Sequence, residues 1–488
     1  MTLRLLAVST SRTTDPALEA LLARGDTTLA LHIGETTADY KGTSLSRMTR
    51  RRGRRGHLFH NAHYTGAARA LMERPDYEAA MEEFIDHLQR RSAARDHRSH
   101  PIRVLQDYVD YFHILADTIA AQIAEARPTH ALFWNVPHLA YDTIAFLCAR
   151  AMGLQTVILT QSLFPGRFFS MTDPADHGLF PPDPAAPPMR FERGEKIDLF
   201  YMAGVGQAEA PPGGRLTRRA LRQLALYLTL RRPGLLLNPV ALSRLIAHMR
   251  STAGQFPDWR DPFAWFFHED EFAYFEHLAG FERQPIDLSG DYIYVPLQYQ
   301  PEMTTAALGG PFRDQALMIE RLADILPEGT RILVKENPRQ GAYARGPMFF
   351  HRLRRIPAVT LLPSHANTHA LAAGARAVAT VSGTAGWEAI RAGTPALAFG
   401  AAWWRGLPGA IPWHDSLTWD EIANHTWDHA TLEQAAGALT QAAHPGYLDR
   451  HFARQEAGFD PAANARTVAD TLHRLLHEGQ GFTFPPRG

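Results

Sequence analysis

The chain has 488 residues, of which 45% are hydrophobic, enough for more than one packed core and too apolar for global disorder. Lys plus Arg and Asp plus Glu balance at 50 each, which argues against a nucleic-acid-binding surface spread over the whole protein. The single cysteine, Cys148, excludes an intramolecular disulfide and any cysteine-based zinc cluster, and its apolar helical setting reads as a buried, inert thiol.

The amino terminus opens on the strand-like Leu3-Arg4-Leu5-Leu6-Ala7-Val8 and lacks the signature of a signal peptide. No run of about 20 apolar residues is present to span a bilayer. The expectation is a cytoplasmic protein, with peripheral contact at the inner membrane face left open. A second apolar run, Thr28 to His32, suggests βα alternation. Helical periodicity then extends over 67–126, through Tyr108, Tyr111, Phe112, Leu115 and Ile119. Ala131 to Trp134 reads as a buried strand, Tyr141 to Met152 as a helix closed by Gly153, and Thr156 to Thr160 as a parallel strand. Residues 172–214 are rich in Pro, Gly and Asp and read as a loop-rich insertion; 215–285 read as helical. The aromatic cluster Trp259, Phe263, Trp265, Phe266, Phe267, Phe272, Tyr274 and Phe275 in that stretch fits a packed layer better than an acceptor platform.

A second βα series follows: strands at 292–297, 331–335, 359–362, 377–381 and 395–399, with helices at 312–325 and 387–392. This spacing predicts a parallel sheet covered by helices on both faces, with ligands beyond the carboxyl ends of its strands. Four segments lie at such ends: Gln298 to Glu302, Lys335 to Arg339, Ser382 to Gly386 before a helix bearing Glu388, and Gly400 to Trp404. At Ser382-Gly383-Thr384, small residues allow close backbone approach and the helix start offers amide and hydroxyl donors to a phosphate; a plain capped turn is the competing reading. Gly-x-Gly-x-x-Gly is absent, so nicotinamide binding finds no support. Lys335, Arg339 and Arg313 are candidate cations for a diphosphate or sugar acid or are plain surface charges, and Glu302 is placed either to face a bound sugar or to serve as a helix-start or loop carboxylate. In the first half, Asp142 follows His138 by four residues after a strand, an arrangement for a carboxylate-oriented general base or for a helix cap. The 24 histidines show no His-Glu-x-x-His spacing, and no metal ligand set is expected. Arginine knots at 50–55 and at 215–232, with Leu235-Leu236-Leu237, suggest contact with anionic lipid or merely a solvated basic surface.

The series Val295-Pro296-Leu297-Gln298-Tyr299-Gln300-Pro301-Glu302, Gly309 to Gln315, Val334-Lys335-Glu336-Asn337-Pro338 and Val381 to Ala389 with Gly393-Thr394-Pro395 resembles the capsule polysaccharide biosynthesis protein family, which includes retaining β-Kdo transferases of capsule assembly. The resemblance is good over 292–404 and looser over 132–169. It implies a GT-B fold: an N-terminal Rossmann-like, acceptor-side domain (1–171), a loop-rich and helical insertion (172–290), a C-terminal Rossmann-like nucleotide-sugar domain (291–430) and a C-terminal helical segment (431–488). It implies a glycosyltransferase without cofactor or metal that takes a nucleotide sugar, CMP-Kdo in the Kdo enzymes, to a glycan or lipid-linked glycan. It places Lys335, Asn337, Ser382, Gly383, Thr384 and Glu388 at the donor, and Glu302, Asp142 and His138 at the chemistry. The chain departs from the family at Asn337, where relatives have His before Pro, and at Gln161-Ser162-Leu163, where many relatives have an acidic residue. Two other readings follow from the same residues: a sugar-nucleotide epimerase of the UDP-GlcNAc 2-epimerase kind, which would need no acceptor, and a non-catalytic capsule assembly or export factor.

Overall fold

The computed structural model describes residues 2–34, 44–45, 63–93, 104–195, 222, 225–231, 233–253, 286–337, 340, 345, 347–363 and 366–486. The arginine knot at 50–55, most of the second knot, the aromatic cluster of 259–275, Pro338 and Arg339 lie outside these residues.

Two sheets organise the chain, and both are dominated by parallel pairs. The first is built around β1 (Leu3–Val8), whose side chains are buried on both faces apart from Arg4, the pattern of a central parallel strand. β1 pairs in parallel with β2 (Thr27–Ile33) on one side and β4 (His130–Phe133) on the other. The short β3 (Ser44–Leu45) extends the β2 edge, and β5 (Gln155–Gln161) extends the β4 edge. Beyond β5 the sheet turns antiparallel through β6 (Arg167–Met171). Over one face lie α2 (Tyr77–Ala93), α3 (Leu105–Ala126) and α4 (Tyr141–Ala151), which bury Phe84, Phe112, Ile119 and Ile144 against Leu6, Val8 and Phe133. The periodicity over 67–126 is thus two helices rather than one stretch. Cys148 is fully buried on α4, and burial pushes its thiol up to about 12, as expected of an inert residue.

The second sheet is parallel throughout, with β7 (Tyr292–Pro296) paired to β8 (Arg331–Lys335) and β10 (Ala377–Thr380), β9 (Val359–Leu362) outside β8, and β11 (Ala396–Ala398) and β12 (Ala410–Pro412) outside β10. Its helices are α6 (Gln315–Ile325), α7 (Pro347–Arg354), α8 (Thr368–Gly374) and α9 (Thr384–Ala392); α5 (Pro239–Ala253) precedes the sheet. Ile293 and Val295 face Ala316, Ile319 and Leu322 of α6, each of which is fully buried. Burying such a side chain contributes about 1.5–3 kcal/mol.

The structure shows the course of two connections that the sequence left open. Residues 172–195, read as an insertion, run as a strap along the second sheet's helices. Met189 N–H donates to the Glu433 carbonyl at 2.9 Å, and the Arg391 guanidinium lies 4.7 Å from the Phe191 ring centre while pairing with Glu195 at 3.0 Å. The chain's end returns to the first sheet. After α11 (His429–Ala442), β13 (His444–Pro445) pairs antiparallel with β6, and α13 (Pro461–Glu478) packs Val468, Leu472, Leu475 and Leu476 against Ala17, Leu18 and Leu21 of α1 (Asp15–Leu22). The short α10 (Trp419–Ala423) and α12 (Arg450–Ala453) fill the connections.

Candidate functional site

The strand ends of the second sheet are held by a buried polar network that motif reading did not reveal. Arg345 and Glu336 form a bidentate ion pair, Nε to Oε2 at 3.0 Å and Nη2 to Oε1 at 2.6 Å, with both side chains 2% exposed. The same guanidinium donates to the Gln298 carbonyl at 2.8 Å, to Gln300 Oε1 at 3.2 Å and to Gln340 Oε1 at 2.9 Å. Gln315 of α6 completes the set, accepting from Gln298 N–H at 2.8 Å and donating to Gln300 Oε1 at 3.0 Å. Satisfied in this way, the network fixes the loops after β7 and β8 to one another.

The turn after β10 is built on this support. Ser382 N–H donates to Gln298 Oε1 at 3.1 Å, and the Ser382 hydroxyl donates to the Thr304 carbonyl. Gly383 is the N-cap of α9; a Cβ there would lie 2.3 Å from Gln298 Nε2, so side-chain size, not backbone angle, dictates glycine. Gly386 is likewise forced, because the Trp404 ring packs against it with Cζ2 2.1 Å from where a Cβ would sit, while its indole N–H donates to the Gly383 carbonyl at 3.0 Å. Thr384 is the first residue of α9, so the helix starts three residues earlier than the expected Trp387.

A cavity of about 330 Å³ opens between α8 and α9, lined by Tyr294, Thr368, His369, Val378, Ala385 and Glu388 among others. This is within the size of pockets that take small ligands. Lys335 reaches the same place. Its Nζ donates to Thr368 Oγ1 at 2.8 Å and to the Ala366 carbonyl at 2.9 Å, and the residue is 9% exposed. The Tyr294 hydroxyl sits beside Thr368, and burial pushes its pKa well above the usual tyrosine range. Thus Lys335, Glu388 and the Ser382-Gly383-Thr384 turn, proposed from sequence, gather around one end of the sheet. Asn337 follows on the β8 loop, where its backbone N–H donates to Glu336 Oε1 at 2.6 Å. Arg313, one of the candidate cations, is instead committed across the domains: it pairs with Glu82 and donates to the Ala79 carbonyl of α2 at 3.3 Å.

Glu302 caps the turn 303–307, is exposed, and accepts from the Thr304 hydroxyl at 3.2 Å. That turn packs on α2, so the first domain's strand ends lie across from it. There, Ser9 (φ 64°) and Ala140 (φ 74°, ψ −68°) stand at positive φ in the turns after β1 and β4. Of the two arrangements open for His138 and Asp142, the structure shows the contact at the helix start and not the dyad. His138 Nδ1 donates to the Val136 carbonyl at 2.6 Å, and Asp142 accepts from Leu139 N–H at 2.6 Å and from Ser9 Oγ at 3.4 Å. The physical reason is local: Asp142 sits in the first turn of α4, where its nearest donors are the orphan amide of the preceding loop and the β1 hydroxyl.

The same rim holds groups the sequence did not single out. Glu83 of α2 accepts from Thr143 Oγ1 at 3.1 Å, and burial next to Asp142 pushes its carboxyl up to about 8. Burial raises Asp86 to about 6. His87, 4% exposed, lies 3.9 Å from Glu83 and meets the His138 ring edge to face at 6.1 Å. The signal for these residues was hidden because an acidic face on an amphipathic helix looks solvated in one dimension.

Comparison with known proteins agrees with the motif series. The family model described as capsule polysaccharide biosynthesis protein matches residues 276–452. No curated protein matches by sequence. Solved structures similar to the chain include the Thermosulfurimonas dismutans KpsC beta Kdo 2,7 transferase (11% identity, 76% of this chain and 91% of that one, TM-score 0.30). Others are Anabaena HepE in complex with UDP-glucose (11%, 97% and 100%, 0.29) and the UDP-GlcNAc 2-epimerase of Methanocaldococcus jannaschii (11%, 98% and 100%, 0.22). Likenesses at these scores carry no functional weight. Among the described residues, no helix is long and apolar enough to cross a membrane. The residues matched by the capsule polysaccharide biosynthesis family model, 276–452, include the buried network, the α9 turn and most of the cavity lining.

Proposed function

We propose that the protein is a glycosyltransferase of capsule or surface-polysaccharide assembly that binds the nucleotide of its donor in the cavity between α8 and α9. The observation that carries this reading is the convergence of Glu388, Thr368, Tyr294 and the start of α9 on a single cavity, with Lys335 anchored to its edge. A carboxylate there accepts hydrogen bonds from ribose hydroxyls, and the amides and Thr384 hydroxyl at the helix start receive the phosphate. In transfer, the acceptor oxygen bonds to the anomeric carbon as the bond from that carbon to the phosphate oxygen breaks. The nucleotide leaves with the electron pair, and the acceptor proton passes to a protein base. Amide donors aimed at the leaving phosphate favour that step without a metal ion. Glu302 and Asp142 are the candidate bases, or the nucleophile if configuration is retained. His138, its Nδ1–H fixed on Val136, presents Nε2 as an acceptor at the same rim.

A thermal-shift screen against CMP, UDP, GDP and their sugar conjugates tests the donor half. A nucleotide at 100 times its Kd adds about 2.7 kcal/mol of stability; the expected result is a shift with one base only, CMP for a Kdo donor. A protein indifferent to all of them would return the assembly-factor reading to the front. Conversion of a nucleotide sugar without any acceptor would instead identify an epimerase. Glu302→Gln and Asp142→Asn are expected to separate the bases, one variant losing 10²–10⁴ in turnover with the fold intact. Leu236 and Leu237, 51% and 87% exposed, supply an apolar surface for lipid contact. Sedimentation with anionic vesicles, weakened by salt, is the expected behaviour.

A further inference from the structure

The rim of the first sheet opposite the cleft carries a second cluster that the proposed reaction does not use. Asp26 immediately precedes β2, at the amino-terminal end of the strands, and its backbone is held there by Leu3 N–H at 3.0 Å. Facing it is α13, where His473-Arg474-Leu475-Leu476-His477 sets two imidazoles one helical turn apart on one face. His473 Nε2 lies 2.6 Å from Asp26 Oδ2, and His477 Nε2 lies 3.6 Å from Asp26 Oδ1. The two rings are stacked, 4.4 Å between centres and 23° apart, so both present Nε2 to the same carboxylate. All three donor atoms lie within 4.8 Å of one another.

We propose that Asp26, His473 and His477 form a binding site for a divalent transition-metal ion, zinc above all, which clasps the last helix onto the first domain. A simple histidine–aspartate pair needs one imidazole, and here a second is stacked on it and turned to the other carboxylate oxygen. Zinc takes nitrogen and oxygen ligands at about 2.0–2.2 Å in a tetrahedron, which sets neighbouring donors about 3.3 Å apart. The two nitrogen–oxygen separations bracket that value. Two imidazoles and one carboxylate suit zinc, cobalt or nickel, and not magnesium or calcium. The backbone carrying the ligands is already fixed, because α13 is packed on α1 and Arg24 pairs with Asp470 one turn before His473. Thr27 Oγ1, 2.9 Å from His477 Nε2, is the group the ion would displace as that nitrogen's partner. His-Glu-x-x-His searching passes over this pair, since arginine follows the first histidine and the third ligand is 447 residues away. The site is remote from the strand carboxyl ends, so its role is structural.

The test uses the full chain without an affinity tag, stripped with EDTA and titrated with ZnCl₂, and with CoCl₂ for its visible absorption. One equivalent of zinc is expected to bind and to raise the thermal midpoint by several degrees. His477→Ala and Asp26→Asn should each weaken zinc binding at least tenfold and abolish the shift, with an unchanged circular dichroism spectrum. His477 is exposed and Asp26→Asn is isosteric, so neither endangers folding. Failure of the stripped protein to take up zinc overturns the proposal. So does equal affinity in both variants, or an equal thermal shift with magnesium.

Discussion

The two rims that face the cleft solve opposite problems. The rim of the second sheet is saturated: Arg345, Glu336, Gln298, Gln300, Gln315 and Gln340 satisfy one another, and glycines at 383 and 386 let the α9 turn close tightly on Gln298 and Trp404. The rim of the first sheet is tense and titratable. It has two non-glycine residues at positive φ and a carboxyl raised to about 8 beside a second carboxylate. A surface that must hold a charged nucleotide in one place gains from rigidity and pre-set donors. A surface that must take up a proton gains from groups poised near neutral pH. Under the proposed reaction, a donor-holding half and a proton-handling half would differ in polar satisfaction as much as in motifs.

Breaking the saturated rim should have the largest effect. Arg345→Met leaves Glu336 buried without its partner, and a loss of about 3–5 kcal/mol in chemical denaturation is expected. Arg345→Lys should recover little of it, because an ammonium cannot make the bidentate contact. Next in size is the titratable rim. Glu83 has a folded pKa of about 8, above its ordinary value, so the folded state keeps a proton that the unfolded chain releases. Its stabilising contribution is therefore full in mild acid and declines as pH rises towards 8. Glu83→Gln should flatten that decline and be relatively more stable than the parent at pH 8 than at pH 5; parallel curves would mean that Glu83 is not protonated in the fold.

Much of the second sheet was legible because parallel strands buried on both faces appear as apolar runs ended by small or polar residues, as at 331–335 and 377–380. The turn at Ser382 to Gly386 was legible for the same reason, although its small residues concealed the first turn of α9. Strands such as Ala410–Pro412 and His444–Pro445 were not, being two or three residues long. The second owes its place to a partner far back in the sequence, β6. Arg345 and Glu336 gave no sign of pairing, since nothing in a linear loop distinguishes a buried guanidinium from a solvated one. His138 and Asp142 were correctly placed after β4, and the helix-start role open to Asp142 is the one it takes, but spacing alone could not choose between that and a dyad, nor reveal that a backbone carbonyl would claim His138.

A smaller effect is expected where the donor is held. Glu388→Gln keeps the shape of the cavity wall while weakening acceptance from ribose hydroxyls, so the selective nucleotide should bind about 10- to 100-fold more weakly by calorimetry, about 1.4–2.7 kcal/mol. Thermal stability without nucleotide should change little. A variant that binds as tightly as the parent would move the ribose away from α9 and with it the donor half of the proposal.

The smallest effect sharpens the other rim. Ala140 is fully buried at φ 74°, ψ −68°, a conformation that costs an L-residue about 1–3 kcal/mol and that glycine adopts freely. Ala140→Gly removes this strain, loses one buried methyl and loosens the unfolded chain, and the latter two together cost about 1–2 kcal/mol. The terms oppose, so stability should stay within about 1 kcal/mol of the parent. Turnover should nonetheless fall, because Ala140 separates Leu139, whose amide holds Asp142 at 2.6 Å, from the first turn of α4. Near-equal stability with reduced turnover would show that the strained turn orients the carboxylate. A loss of stability typical of glycine in an ordinary turn, with turnover intact, would show that the strain does no such thing.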